Sequence, residues 1–185
     1  MKKVFLSFSV LAIGLFTSCG GSKSAKMETA TFEKYGYNVS FTHPEGFFTR
    51  SENADDFFDK KVEGVAFVGE EFTLQVDVTT TTHADFQTFK DAIKKTYPSS
   101  EEIQGDGVDG FVYYFSRSFW CCFPAEGKTY ARLKLILNEH KNLTSEEVNN
   151  YDYGQKQALR DNADAMLQTE AVQNIIKSVK ITKSN

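Results

Sequence analysis

The 185-residue chain is poor in the residues that announce a chemistry, with three Cys, three His, three Pro and one Trp. No two cysteines stand at Cys-x-x-Cys spacing, which removes the usual thiol-redox signature. His43, His83 and His140 lie far apart, and none belongs to a His-Glu-x-x-His or comparable pattern, so neither a metal nor a cofactor is expected. No Gly-x-Ser-x-Gly elbow and no phosphate-binding loop occurs, and Ser116-Arg117-Ser118 alone defines no triad. The expectation is therefore a protein that is not an enzyme. Basic charge is also scarce, at 21 Lys and Arg against 25 Asp and Glu, so nucleic acid is not an expected partner.

Long apolar runs are missing too. The longest is Val4 to Phe16, broken by Ser7 and Ser9, and it falls short of the roughly 20 residues a membrane-spanning helix needs. Lys2 and Lys3 precede it, and the small residues Thr17 and Ser18 follow it before Cys19, which is the order of parts of an export signal. Small residues ahead of a cysteine resemble the bacterial lipoprotein signal, although Phe16 stands where Leu is usual, with Leu15 beside it. That resemblance implies cleavage after residue 18 and lipidation of Cys19. Each buried methylene contributes about 0.8 kcal/mol, so several acyl chains hold a protein firmly to a membrane. An ordinary secretory peptide with Cys19 free or paired is the alternative. Residues 19–28 then read as the lipidated cysteine and a Gly/Ser-rich tether, whose Lys23 and Lys26 favour the periplasmic side of the outer membrane.

The remainder, residues 29–185, is long enough for one domain with a sizeable core, and 17 Phe and eight Tyr supply it. Ala30 and Phe32 alternate with polar neighbours, and Tyr37, Val39 and Phe41 do the same beyond Tyr35-Gly36, which reads as a β-hairpin. The chain from Phe72 to Thr80 has period two, with Phe72, Leu74, Val76 and Val78 on one face. It is expected to be a half-buried strand paired with residues 65–68. Thr82 is the expected N-cap of a helix carrying Phe86, Phe89, Ile93 and Tyr97, stopped by Pro98. Residues 111–123 read as one long extended run, with Phe111, Tyr113, Phe115, Phe119, Cys121 and Phe123 on one face, forming a second long hairpin with residues 130–137. Thr144 with Glu147 forms a capping box, and stripes at Leu159, Ala163, Met166, Leu167 and at Val172, Ile175, Ile176, Val179 mark helices. Antiparallel strands with segregated helices indicate an α+β fold, an antiparallel β-sheet covered by helices.

Five stretches together resemble the PsbP-like family: Tyr35 to Phe41, His43 to Phe47, the helix opening Ala84-Asp85-Phe86, Gly107 to Tyr113, and Ile175 to Ile181. The resemblance spans nearly all of residues 30–182, and its motifs are structural. The family includes a photosystem II extrinsic subunit, a Ran-binding nuclear-import factor and many bacterial lipoproteins. It implies an αβα sandwich and adaptor or assembly roles more often than catalysis, and it transfers no catalytic residue. Asn138 to Gly154 is longer than the family's usual link to its last helix.

Two functions follow as expectations. The first is a non-catalytic interaction or assembly module, lipid-anchored in the bacterial cell envelope, that binds an envelope protein through an exposed aromatic patch; Phe57, Phe58 and Trp120 are its candidate residues. The second is a periplasmic small-ligand-binding protein or hydrolase, with Arg117 and Tyr114 as polar contacts. Cys121-Cys122 reads as one buried cysteine and one on the opposite strand face, since neighbours in a strand point apart. Asp106 and Asp109 resemble fragments of a calcium loop but lack its remaining ligands, so a glycine turn is expected there.

Overall fold

The structure, a computed structural model, describes residues 24–51 and 64–184. The signal segment 1–18, Cys19, and the candidates Phe57 and Phe58 lie outside the described residues. The strands are β1 (Ala25–Phe32), β2 (Tyr37–Pro44), β3 (Thr49–Ser51), β4 (Gly64–Val68), β5 (Phe72–Thr80), β6 (Glu101–Gln104), β7 (Asp109–Phe115), β8 (Ser118–Pro124), β9 (Thr129–Leu137) and β10 (Lys180–Lys183). The helices are α1 (Phe86–Thr96), α2 (Ser145–Asn150), α3 (Tyr153–Leu167) and α4 (Glu170–Lys177). The chain is an α+β domain with antiparallel pairing throughout, in a small sheet ordered β1-β2-β10 and a large one ordered β3-β4-β5-β9-β8-β7-β6.

The first hairpin forms where its alternation places it, with Ala30 opposite Val39 and Phe32 opposite Tyr37. Gly36 supplies the left-handed backbone of the turn, at φ +73°. The strand begins earlier than its apolar alternation indicates. Residues 25–28, assigned to the tether, pair with residues 41–44 instead, and Glu28 there turns its buried carboxylate toward Lys26 at 2.6 Å and toward buried His43 on the facing strand.

β5 has the expected bounds but not the expected half-burial. Phe72, Leu74, Val76 and Val78 enter the apolar core, and Thr73, Gln75 and Asp77 on the opposite face are buried as well. Two of these polar groups find partners on distant chain: Thr73 Oγ1 donates to Asn138 Oδ1 at 2.8 Å, and Asp77 accepts from Arg132. Alternation between apolar and polar residues therefore marks two different interiors rather than an inside and an outside.

The long run from Phe111 to Phe123 is also divided. Ser116 and Arg117 form a two-residue turn, with Ser116 at φ +59°, and β8 returns beside β7 with Phe115 opposite Ser118. The reversal reassigns the faces. Phe111 and Tyr113 share theirs with Cys122 and Trp120, whereas Phe119, Cys121 and Phe123 join the main core with Val112. Both cysteines are free and buried, one on each side of the sheet, and burial raises both thiols above their ordinary pKa.

The large sheet thus has two covered faces. On one, the small sheet with α3 and α4 seals a core that includes Phe41, Phe67, Leu74, Leu133, Leu135, Val172 and Ile175. Removing an apolar square ångström from water is worth roughly 25 cal/mol, so this continuous layer is the main source of stability. On the other, α1 lays Phe86, Phe89, Ile93 and Tyr97 against Phe111, Tyr113, Cys122 and Tyr130. The helix starts at Phe86 rather than after Thr82. Asp85 is the N-cap, its Oδ1 accepting from the Thr88 N–H at 2.7 Å, while Thr81 Oγ1 accepts from the His83 N–H. α2 begins with the expected capping box of Thr144 and Glu147. Both expected apolar stripes are buried, on α3 and on α4 with Val179 just beyond it.

Candidate functional site

The β7–β8 hairpin and the end of α1 bring aromatic side chains together at one margin of the second face. Alternation in β7 sends Tyr113 and Phe115 to the α1 side, and the register brings Trp120 opposite Tyr113. Tyr97, the C-cap of α1, lies 5.3 Å from the Tyr113 ring and 6.0 Å from Phe115, and Phe115 is 6.1 Å from Trp120. Phe115 is 47% exposed, and Tyr97 and Trp120 are half-buried. Aromatic contacts of this kind favour edge-on and offset geometries, which hold the group as a rigid unit without covering it.

Beneath this margin the chemistry is ionic. Arg132 grips Asp77 in a fork, Nε to Oδ1 at 3.0 Å and Nη2 to Oδ2 at 3.0 Å, and Asp77 is 1% exposed. Burial pushes the Asp77 carboxyl above its ordinary pKa, and the guanidinium works against that shift. The Arg132 Cζ stands 4.4 Å from the Trp120 ring and Lys134 Nζ stands 5.0 Å from it, so two cations flank one indole. The indole N–H donates to Ser118 Oγ at 2.9 Å, which ties the ring to the turn. Trp120 is thus positioned from three sides and partly open on the remainder.

The other two sequence candidates go to the opposite side of the hairpin. Tyr114 packs on Phe119 at 5.3 Å, with the Arg160 guanidinium of α3 5.8 Å from its ring. Its hydroxyl and the Arg117 Nη1 are enclosed and, among the described residues, unpartnered. Burial pushes the Tyr114 hydroxyl up to about 12 and lowers the Arg117 guanidinium, which Glu147 partly offsets. Both side chains direct a polar atom inward.

The histidines remain separate. His43 is buried among Phe41, Phe47 and Phe48, with Nδ1 2.7 Å from the Pro44 carbonyl. His83 lies beside Phe89, and His140 rests its Nε2 3.1 Å from Glu139. No group of three or more metal-ligating side chains forms among the described residues. Asp106 faces Lys180 at 3.6 Å, and Gly107 at φ +73° makes the turn. No helix among the described residues is long and apolar enough to cross a membrane.

Sequence reasoning named Trp120 but passed over Tyr97 and Phe115. The signal for them was the polar triplet Ser116-Arg117-Ser118 inside an aromatic run, which marks a hairpin tip where aromatics emerge.

No family model matches the chain, and no curated protein is similar to it. Among solved structures, the solution structure of cyanobacterial PsbP (CyanoP) from Synechocystis sp. PCC 6803 is similar over 82% of this chain and 97% of that one, at 14% identity and a TM-score of 0.39. It belongs to the family that the sequence motifs resemble. The α+β class rests on the pairing and packing of this chain.

Proposed function

We propose that the protein is a non-catalytic interaction or assembly module, held by lipid on Cys19 at the periplasmic face of the bacterial outer membrane, that docks an envelope protein. The observation that carries this reading is the half-covered aromatic margin of Tyr97, Phe115 and Trp120. A 47%-exposed Phe fixed against two half-buried aromatic rings is costly to leave in water and well formed for a partner, since aromatic anchors dominate binding energies. Five residues separate Cys19 from Ala25, the start of β1, so an anchored domain stands close to its membrane. The small-ligand reading rests on Arg117 and Tyr114, whose Nη1 and hydroxyl are enclosed.

Two variants test the parts separately. Cys19→Ser should release the protein into the soluble envelope fraction, and persistence in the membrane fraction would contradict the anchor. Phe115→Ala in the anchored chain should lose the partner in co-purification while the protein stays membrane-bound; undiminished recovery of the same partner would contradict the docking surface.

A further inference from the structure

A second surface, on the far edge of the large sheet, has the form of a peptide slot. β6 is the terminal strand of that sheet, bonded to β7 on one side and, among the described residues, to no strand on the other. Edge strands expose unused backbone donors and acceptors, which template an added strand. Alongside β6 runs α4, and between them lies a groove of about 410 Å³ lined by Glu102, Ile103, Gln104, Gly105, Gln173, Ile176 and Lys177. The end of the groove is closed by a tight approach. The Asp106 N–H donates to the Val179 carbonyl at 2.8 Å, and a Cβ on Gly105 would stand 2.6 Å from that oxygen, so only glycine permits the contact.

Charge decides what fits. Lys90 is paired with Glu102, Lys180 with Asp106 and Lys183 with Glu126, whereas Lys177 is exposed and has no ion-pair partner among the described residues. Lys177 also lines two neighbouring grooves, of about 390 and 330 Å³.

We propose that the slot between β6 and α4 binds an extended segment of a protein partner, which adds to β6 as an outer strand, rests an apolar side chain against half-buried Ile103, and sets a carboxylate on Lys177. Main-chain bonds to β6 supply affinity and Lys177 supplies selectivity for acidic segments. The slot is independent of the aromatic margin, since none of its residues belongs to that group.

The test selects short random peptides displayed on phage against the detergent-solubilised full chain, then measures binding of the selected peptide by calorimetry and maps it by backbone amide shifts. The selected sequences should pair apolar residues with an acidic one and shift the amides of residues 101–104 and 173–177. Lys177→Glu, at an exposed position, should weaken binding by about tenfold or more, as expected for loss of an ion pair together with new repulsion. Phe115→Ala should leave peptide binding unchanged. Failure to select any peptide, equal binding by Lys177→Glu, amide shifts elsewhere, or association of copies through β6 would each overturn the proposal.

Discussion

The two faces of the large sheet are built differently. The first is closed by a second sheet and two helices, and Phe32, Phe41, Phe67, Leu74, Leu133 and Ile175 on it are all but inaccessible. The second is covered by a helix that contributes no fully buried residue, over a layer containing a buried ion pair and an indole flanked by cations. Apolar packing of the first kind converts area into stability directly. A buried ion pair adds little net stability, because desolvation consumes most of the attraction. The first face therefore holds the fold, and the second is the face on which a docking surface can be exposed without unfolding the protein.

Truncation separates the faces most sharply. Phe41→Ala, which empties a fully buried site, should cost about 3 to 5 kcal/mol in urea unfolding. Phe115→Ala should cost less than about 1 kcal/mol, as exposed substitutions do. Similar losses would erase the distinction. Next in size is the ionic layer: Asp77→Ala strands the Arg132 guanidinium and should cost about 3 kcal/mol. The double replacement of Asp77 by Leu and Arg132 by Met should recover most of that, and a double variant as unstable as the single one would show that the pair itself stabilises the second face.

The smallest effect is a response to alkali. Burial pushes the Tyr130 hydroxyl, on the second face, up to about 12 from its ordinary 10. A raised folded-state value means that the unfolded chain releases this proton first. Stability contributed by the neutral hydroxyl is then complete below pH 10 and is lost as pH rises through about 12. Tyr130→Phe should flatten that alkaline decline in a pH series of melting curves. An unchanged decline would assign it to other groups.

Much of the main core was legible in the sequence because it follows from local periodicity. The first hairpin, the bounds of β5, the Thr144–Glu147 box and the stripes on α3 and α4 need only period two, period 3.6 and a cap. The second face was not legible for a physical reason. Asp77 is separated from Arg132 by 55 positions and Thr73 from Asn138 by 65, and nothing in β5 itself reveals that its polar side is interior. The β7–β8 turn carries only the weak signal of a polar triplet, because Ser116 adopts a left-handed backbone without the Gly or Asn that usually marks one. β6 offers a single apolar residue, Ile103, in four, too few for alternation to register.

The aromatic margin inherits that difficulty. Trp120 stands out as the sole tryptophan, but its neighbours Tyr97 and Phe115 come from a helix end and a strand end that only the turn at Ser116 brings together. Arg117 and Tyr114, next to these residues in sequence, project to the other side with the Arg117 Nη1 and the Tyr114 hydroxyl enclosed. One position along a strand decides which face a side chain serves.

Site-specific photocrosslinking in the native envelope tests the central claim most directly. A photoreactive side chain at position 115, on the half-open face, is compared with one at position 153, where Tyr153 is 83% exposed on α3, away from the aromatic margin. The account predicts a discrete adduct with one envelope protein from position 115 and none with that protein from position 153. Equal labelling from both positions, or no protein adduct from position 115, would contradict it.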